Sequence, residues 1–485
     1  MSPEATLLLA PALPLAGSAA IAALGSRPNL REAATLTTAA ALLVLVLSLL
    51  PTLDGGVWPR VTVAEPIPGL AIALHAEPLG LLFALVASFL WLVTSVYAIG
   101  YMRGHGESNQ TRFYVFFAIA IASAIGVAFA ANMFTLFVFY EVLTLSTYPL
   151  VTHSGSEEAR RAGRLYLGIL LGTSLVLQLL AIVWTWQLTG TLDFTSGGVM
   201  HDTVPAGVAS VLLVLYVFGI GKAAVMPLHR WLPAAMVAPT PVSALLHAVA
   251  VVKAGVFTIV KVAVYLFGID FLATLGSRDW LLYVVAATIL IGSLVAMRQD
   301  NLKARLAYST VSQLSYIVLG ALLANAWGIV GGGMHIVMHA FGKITLFFCA
   351  GAIMVAAHKT EISQMRGLGR AMPITMGAFF IGSISVIGLP PAGGLWSKWY
   401  LALGTLDAQQ AVLLGVLLLS SLLNLAYLLP IPVRAFLSPD HGKPMAFREA
   451  PLASLLALSV SSAGCIALFF FPGPVLQLMQ RAITP

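Results

Sequence analysis

The sequence predicts an all-α polytopic membrane protein, and three observations carry that reading. Hydrophobic residues make up 59% of the chain and charged residues 9%, with a mean hydropathy of +0.96; a water-soluble domain needs far more charge to cover its surface. Apolar runs of about 18 residues or more recur from end to end, each long enough to cross roughly 30 Å of hydrocarbon as a helix. Basic residues in the loops are concentrated in alternate ones, as a fixed orientation in a bilayer requires.

Taken in order, the apolar runs give 14 expected spans, at about 5–24, 34–52, 79–101, 112–130, 133–151, 164–188, 206–237, 241–267, 281–298, 303–323, 327–357, 373–403, 410–435 and 451–471. The N-terminal MSPEATLLLAPALPLAG has no basic region ahead of its apolar run, so it reads as a retained first span and not a cleaved signal peptide. Loops after odd-numbered spans hold 17 basic residues, including Arg160, Arg161, Arg164, Lys359, Arg366, Arg370, Lys443 and Arg448; loops after even-numbered spans, with the tail, hold Arg60, Arg278 and Arg481. Short cytoplasmic loops collect Lys and Arg, so both termini are expected on the non-cytoplasmic side. The net charge of +7 is then a topology signal, and nucleic acid is not expected as a partner.

Two spans are long and interrupted. The seventh reads VLYVFGIGKAAVMPLHRWLPAAM, with Gly219 and Gly221 just before Lys222; the twelfth reads SISVIGLPPAGGLWSKWYL, with Pro390, Pro391, Gly393 and Gly394 before Lys398. Paired helix breaks in two halves of a chain point to an inverted-repeat transporter with ion sites at the breaks. The expected organisation is N-terminal helices 1–3 over residues 1–110, a first repeat of helices 4–8 over 111–267, a second of helices 9–13 over 279–436, and a last helix over 437–485. Five helices per repeat is an odd number, which forces opposite orientation.

With basic residues at span ends, and Arg230, counted to the loops, five fall inside spans: Lys222, Lys253, Lys261, Lys343 and Lys398. All are lysine, and a buried amine can release its proton near neutrality whereas a guanidinium cannot. Proton exchange is therefore expected, not fixed charge. Glu141, in MFTLFVFYEVLTLSTYPL, is the carboxylate at mid-span. A charge at the bilayer centre costs about 2.5–3.5 kcal/mol on insertion scales, so such residues mark ion paths. Lys261, near the end of span 8, is expected to snorkel to the interface. Glu141 is either a carrier or a counter-ion that tunes Lys222. His335, His339 and Lys343 are spaced i, i+4, i+8 and line one face of span 11, as a proton relay would. His247 stands about 240° around an ideal helix from Lys253, so it joins the relay through a neighbouring span or simply caps the chain after APTP. Cys349 and Cys465 lie far apart and offer no metal or cluster set, and no nucleotide-binding loop is present. Neither a cofactor nor a metal is expected.

The stretches PLHRWLPAAMVAPTPVSALLHAVAVVKAGVF, YSTVSQLSYIVLG, MHIVMHAFGKITLFFCAG and GLPPAGGLWSKW resemble the signatures of the antiporter-like subunits shared by respiratory complex I, Mrp sodium/proton antiporters and membrane-bound hydrogenases. The resemblance covers roughly residues 80–435. It implies 14 helices, inverted five-helix repeats with helices 7 and 12 broken, and a line of protonatable groups at half-membrane depth. The family's fifth-span glutamate matches Glu141, its seventh- and eighth-span lysines match Lys222 and Lys253, its eleventh-span His and Lys match His335, His339 and Lys343, and its terminal twelfth-span lysine matches Lys398. Some complex I relatives have glutamate at that last position.

The length, and a chain that ends after span 14 without a long amphipathic arm, favour the D subunit of an Mrp-type antiporter; PTPVSALLHA and YSTVSQL look more like the distal complex I subunit and the large Mrp A subunit. The function implied is a proton-translocating, non-enzymatic subunit of a cation (Na+)/proton antiporter in the bacterial inner membrane, partnered by other hydrophobic subunits. The alternative is a proton-pumping arm subunit of a complex I-like oxidoreductase or membrane-bound hydrogenase. A b-type cytochrome using His335 or His339 is disfavoured, because same-face histidines four apart do not supply two axial ligands to one haem.

Overall fold

The structure, a computed structural model, describes residues 1–55, 58–438 and 447–483; Lys443 lies outside them. Helices α1 (Pro3–Ala23) and α2 (Pro28–Leu47) are followed by a hairpin, β1 (Arg60–Ile67) and β2 (Leu70–His75). The apolar-run reading placed no strand there, although VTVAEPI and LAIALH carry the β-branched residues that favour one. Next come α3 (Pro78–His105), capped by the Glu77 side chain, α4 (Gln110–Ala128) and α5 (Met133–Val151), capped by Asn132. Helix α6 (Glu157–Thr173) runs through a π turn, Ser174–Gln178, into α7 (Leu179–Thr189). Its start lies ahead of the expected 164 because Ser156 caps it and EEARRAGR extends the helix into water.

Helix α8 (Ala206–Gly219) stops at the first break, and the chain resumes in α9 (Trp231–Ala234). The eighth span is a composite: α10 (Thr240–Ala244), a π turn Leu245–Val249, α11 (Val251–Lys261) and a second π turn Val262–Phe267. After α12 (Ile269–Ala273) follow α13 (Gly276–Arg298), α14 (Leu302–Leu322), the 32-residue α15 (Ala326–Ala357) and α16 (Leu368–Ala371). The second broken span is α17 (Pro373–Ile387) and α18 (Gly394–Asp407). The chain closes with α19 (Ala411–Leu428), α20 (Pro430–Leu437), α21 (Leu452–Phe470) and α22 (Gly473–Ile483).

The architecture is an all-α membrane bundle. Eleven of the described helices are long and apolar enough to cross a bilayer. The three other expected spans differ in kind. Two are the interrupted segments 206–237 and 373–403, and the third, α14, is long enough but carries a polar sequence, LKARLAYSTVSQLSYIVLGAL. Helices α11 and α15 form the centre. Every residue of α11 is buried, and α15 packs against α3, α10, α14, α17, α18 and α21.

Lipid offers no hydrophobic drive between helices, so close backbone approach has to supply the packing. Gly255 on α11 is one such place: a Cβ there would collide with the Lys222–Ala223 peptide at the first break. Gly255→Ala is therefore expected to push α11 off the break and destabilise the fold by roughly 1–3 kcal/mol, the usual range for overpacking. The check is a lowered thermal midpoint of the detergent-solubilised protein. An unchanged midpoint would show that the break gives way without cost. Gly388, at φ +90°, ends α17, and a Cβ there would lie 2.8 Å from Lys398 Cδ. The absent side chain is the space in which the lysine stem runs.

Candidate functional site

The helix break after α8 turns Lys222 back onto α5. Its ammonium donates to the Tyr140 carbonyl at 2.8 Å and to Thr144 Oγ1 at 2.6 Å, and sits 3.1 Å from the centre of the Tyr140 ring. Glu141 is adjacent in sequence, yet both its carboxylate oxygens are buried without a hydrogen-bond partner. Among the described residues no Glu141–Lys222 ion pair forms. Lys222 is thus held on neutral oxygens, and the Glu141 carboxylate acts on it through space and not by direct contact.

Lys253 projects from α11 across to α15, where its Nζ lies 2.7 Å from His339 Nδ1. One turn back on α15, the His335 ring stacks on His339 with centroids 5.7 Å apart. His335 then contacts Ser397 Oγ of α18 through Nδ1 at 2.8 Å and Gln313 Oε1 of α14 through Nε2 at 3.1 Å. The Tyr316 ring stacks on His335 at 5.4 Å, and its centre is 5.0 Å from Lys398 Nζ. Lys398 donates to the Ile387 carbonyl, the last of α17, at 2.8 Å and to Ser421 Oγ at 3.1 Å. The helix break thus supplies an acceptor for the amine, since the end of a helix leaves carbonyls free.

Lys343 shares the α15 face with the two histidines but turns to α14, donating to Ser309 Oγ at 2.6 Å and to the Leu306 carbonyl at 3.3 Å. His247 is wholly buried with both ring nitrogens unpartnered, 4.7 Å from the Phe347 ring of α15. The angular argument that separated it from Lys253 assumed an ideal α-helix. The π turn Leu245–Val249 breaks that assumption, and both side chains meet α15.

Lys261 overturns the snorkelling expectation. Fully buried, it pairs with Glu77 at 2.8 Å, donates to the Ala130 carbonyl at 2.7 Å and faces the rings of Phe194 and Phe257. Nearby on β2, burial holds His75 below its ordinary range; Glu77 opposes that, and Lys261 and Arg60 add to it. Charge-based reading of the sequence missed Glu77, Gln313, Tyr316, Ser397 and the hydroxyls around Lys343. The signal for the last was a polar stripe, Ser309, Ser312 and Tyr316, at i, i+3 and i+7.

The family described as NADH:quinone oxidoreductase/Mrp antiporter, TM, matches residues 130–424, which hold both helix breaks and all eight candidate residues. The chain belongs to this family. This antiporter-like subunit is 35% identical over 469 residues to NADH-quinone oxidoreductase subunit N of Desulforudis audaxviator, covering 92% of each chain. It is 31% identical over 442 residues to hydrogenase-4 component B of Escherichia coli, covering 85% of this chain and 64% of that one. Among solved structures it is similar to a chain of the Mrp complex from Dietzia sp., with a TM-score of 0.86 and 26% identity over 100% of this chain and 97% of the other. The antiporter-like subunit thus belongs with membrane subunits of multisubunit complexes.

Proposed function

We propose that this chain is the proton-translocating subunit of a multisubunit cation/proton antiporter of the Mrp type, with Na+ as the exchanged ion. The observation that carries the reading is the run from buried Lys253, His339, His335 and Tyr316 to part-buried Lys398, which links α11 to the second helix break through α15 and α14. Protons load at Glu141 and Lys222, pass to Lys253 and along the α15 histidines and Lys343, with His247 alongside, and leave by Lys398. Residues 111–267 and 279–436 act as the inverted repeats, each with one lysine at its break. The subunit performs no redox chemistry and sits in a bacterial inner membrane with both termini non-cytoplasmic. The likeness to the Mrp chain over its whole length supports this parent complex.

One observation favours a second reading, a proton-pumping arm subunit of a complex I-like oxidoreductase: the 35% identity to subunit N over 92% of both chains. Subunit composition after mild solubilisation separates the two. Small hydrophobic partners alone fit the antiporter, and iron–sulfur or flavin subunits fit the oxidoreductase. Within either, Lys398→Arg keeps the positive charge and removes the ability to release a proton. Proton translocation in everted vesicles is expected to fall several-fold, and an unchanged rate would remove Lys398 from the path.

A further inference from the structure

Lys343 and Lys398 are joined by more than the histidines. Ser309 Oγ, which accepts from Lys343 at 2.6 Å, also accepts from the Tyr427 hydroxyl at 2.8 Å. Tyr427 OH also donates to Asn424 Oδ1, with Ser293 nearby. Ser293 Oγ lies 2.9 Å from Ser312 Oγ and 3.1 Å from Ser420 Oγ, and Ser312 and Ser420 are 3.5 Å apart. The Tyr316 hydroxyl donates to the Leu417 carbonyl of α19 at 3.3 Å, beside Ser420 and Ser421, and Ser421 accepts from Lys398 at 3.1 Å. Ser293, Ser309, Ser312, Ser420 and Tyr316 are fully buried, and Tyr427 nearly so.

We propose that this hydroxyl ladder between α13, α14 and α19 is a second proton wire from Lys343 to Lys398, independent of the histidines until the two routes meet at Tyr316. The inference rests on the proton-path reading above. Hydroxyls suit the task because each donates one proton and accepts others: once the Ser309 and Tyr427 hydrogens turn toward the Lys398 end, a proton taken up from Lys343 displaces another at the far end and every member returns neutral. Serines in membrane helices also serve simply as interhelical glue. Glue accounts for Ser293, Ser312 and Ser420 as a cluster and for the Tyr316 bond to the Leu417 carbonyl, but not for an amine hydrogen-bonded to a serine at each end of the series.

The ladder has two exits to test, by removing its links singly and by closing the parallel route. The assembled complex is assayed in everted vesicles with a pH-sensitive dye. Ser309→Ala is expected to slow proton translocation about twofold to threefold, and Ser309→Thr, which keeps the hydroxyl, to restore it. His335→Asn is expected to leave a measurable residual rate that Tyr427→Phe then lowers about tenfold. A His335→Asn rate of zero, a residual rate untouched by Tyr427→Phe, or full activity in Ser309→Ala would each overturn the ladder. If Lys398→Ala also left translocation intact, the proton-path reading would fail; Lys398→Ala inactive with the ladder variants fully active would sink the ladder alone.

Discussion

Exchanging Lys253 for alanine is expected to cut proton translocation by the assembled complex at least about tenfold, an added barrier of about 1.4 kcal/mol. Its amine is the group that brings α11 into contact with the titratable face of α15, at 2.7 Å from His339 Nδ1. His339 Nε2 is buried without a partner, so removing the amine strands the imidazole at both nitrogens. No neighbouring side chain can swing in from the surface, because every residue of α11 is buried. Lys253→Arg should fail comparably: it supplies a charge that a guanidinium does not release, in a space shaped for a slimmer stem. The dye assay in everted vesicles reads the rate, and a native gel confirms that the complex still forms. Full activity in both variants would place the route between the two halves of the chain elsewhere.

How far the sequence could be read depended on whether a residue's neighbours lay along the chain or across it. His335, His339 and Lys343 were legible as one face because α15 is a regular helix over 32 residues, and the spacing rule holds wherever that is so. The same rule does not carry across to His247, since a π turn under-winds the helix between it and Lys253, and nothing in LLHAV announces that turn. The two breaks were legible from glycine and proline, and so was a lysine beyond each. What the breaks offer the amines was not: Lys222 reaches a carbonyl on α5, whereas Lys398, on α18, reaches the last carbonyl of α17 across its own break. Hydroxyls were passed over for a different reason. Serine in an apolar helix ordinarily bonds its own i−4 carbonyl, and only the packing of α13, α14 and α19 shows several serines bonded across helices instead.

Lys261 illustrates the remaining failure and yields the largest stability effect. Its place near the end of a span suggested an amine free to reach water, but Glu77 at the head of α3, the carbonyl of Ala130 and two aromatic rings enclose it. Glu77 Oε1 serves twice, accepting from Lys261 and capping α3 through the Gly80 amide at 3.1 Å. Lys261→Met should therefore leave a buried, uncompensated carboxylate whose Oε1 keeps the Gly80 amide and whose Oε2 is unpartnered already. Breaking a buried pair from one side costs about 3–5 kcal/mol, most of it the desolvation of the partner left behind. Glu77→Gln should cost similarly, because it leaves the ammonium buried on a neutral amide and a carbonyl. Combining the two removes both charges, and the double variant is expected to regain most of the loss, since a neutral pair of similar volume is often no less stable than the ion pair it replaces. Thermal midpoints of the four solubilised proteins close the cycle. Recovery in the double variant identifies the charges as the coupled element. Additive losses would mean instead that each side chain acts through its own packing, and that the pair does not bind α3 to the eighth span.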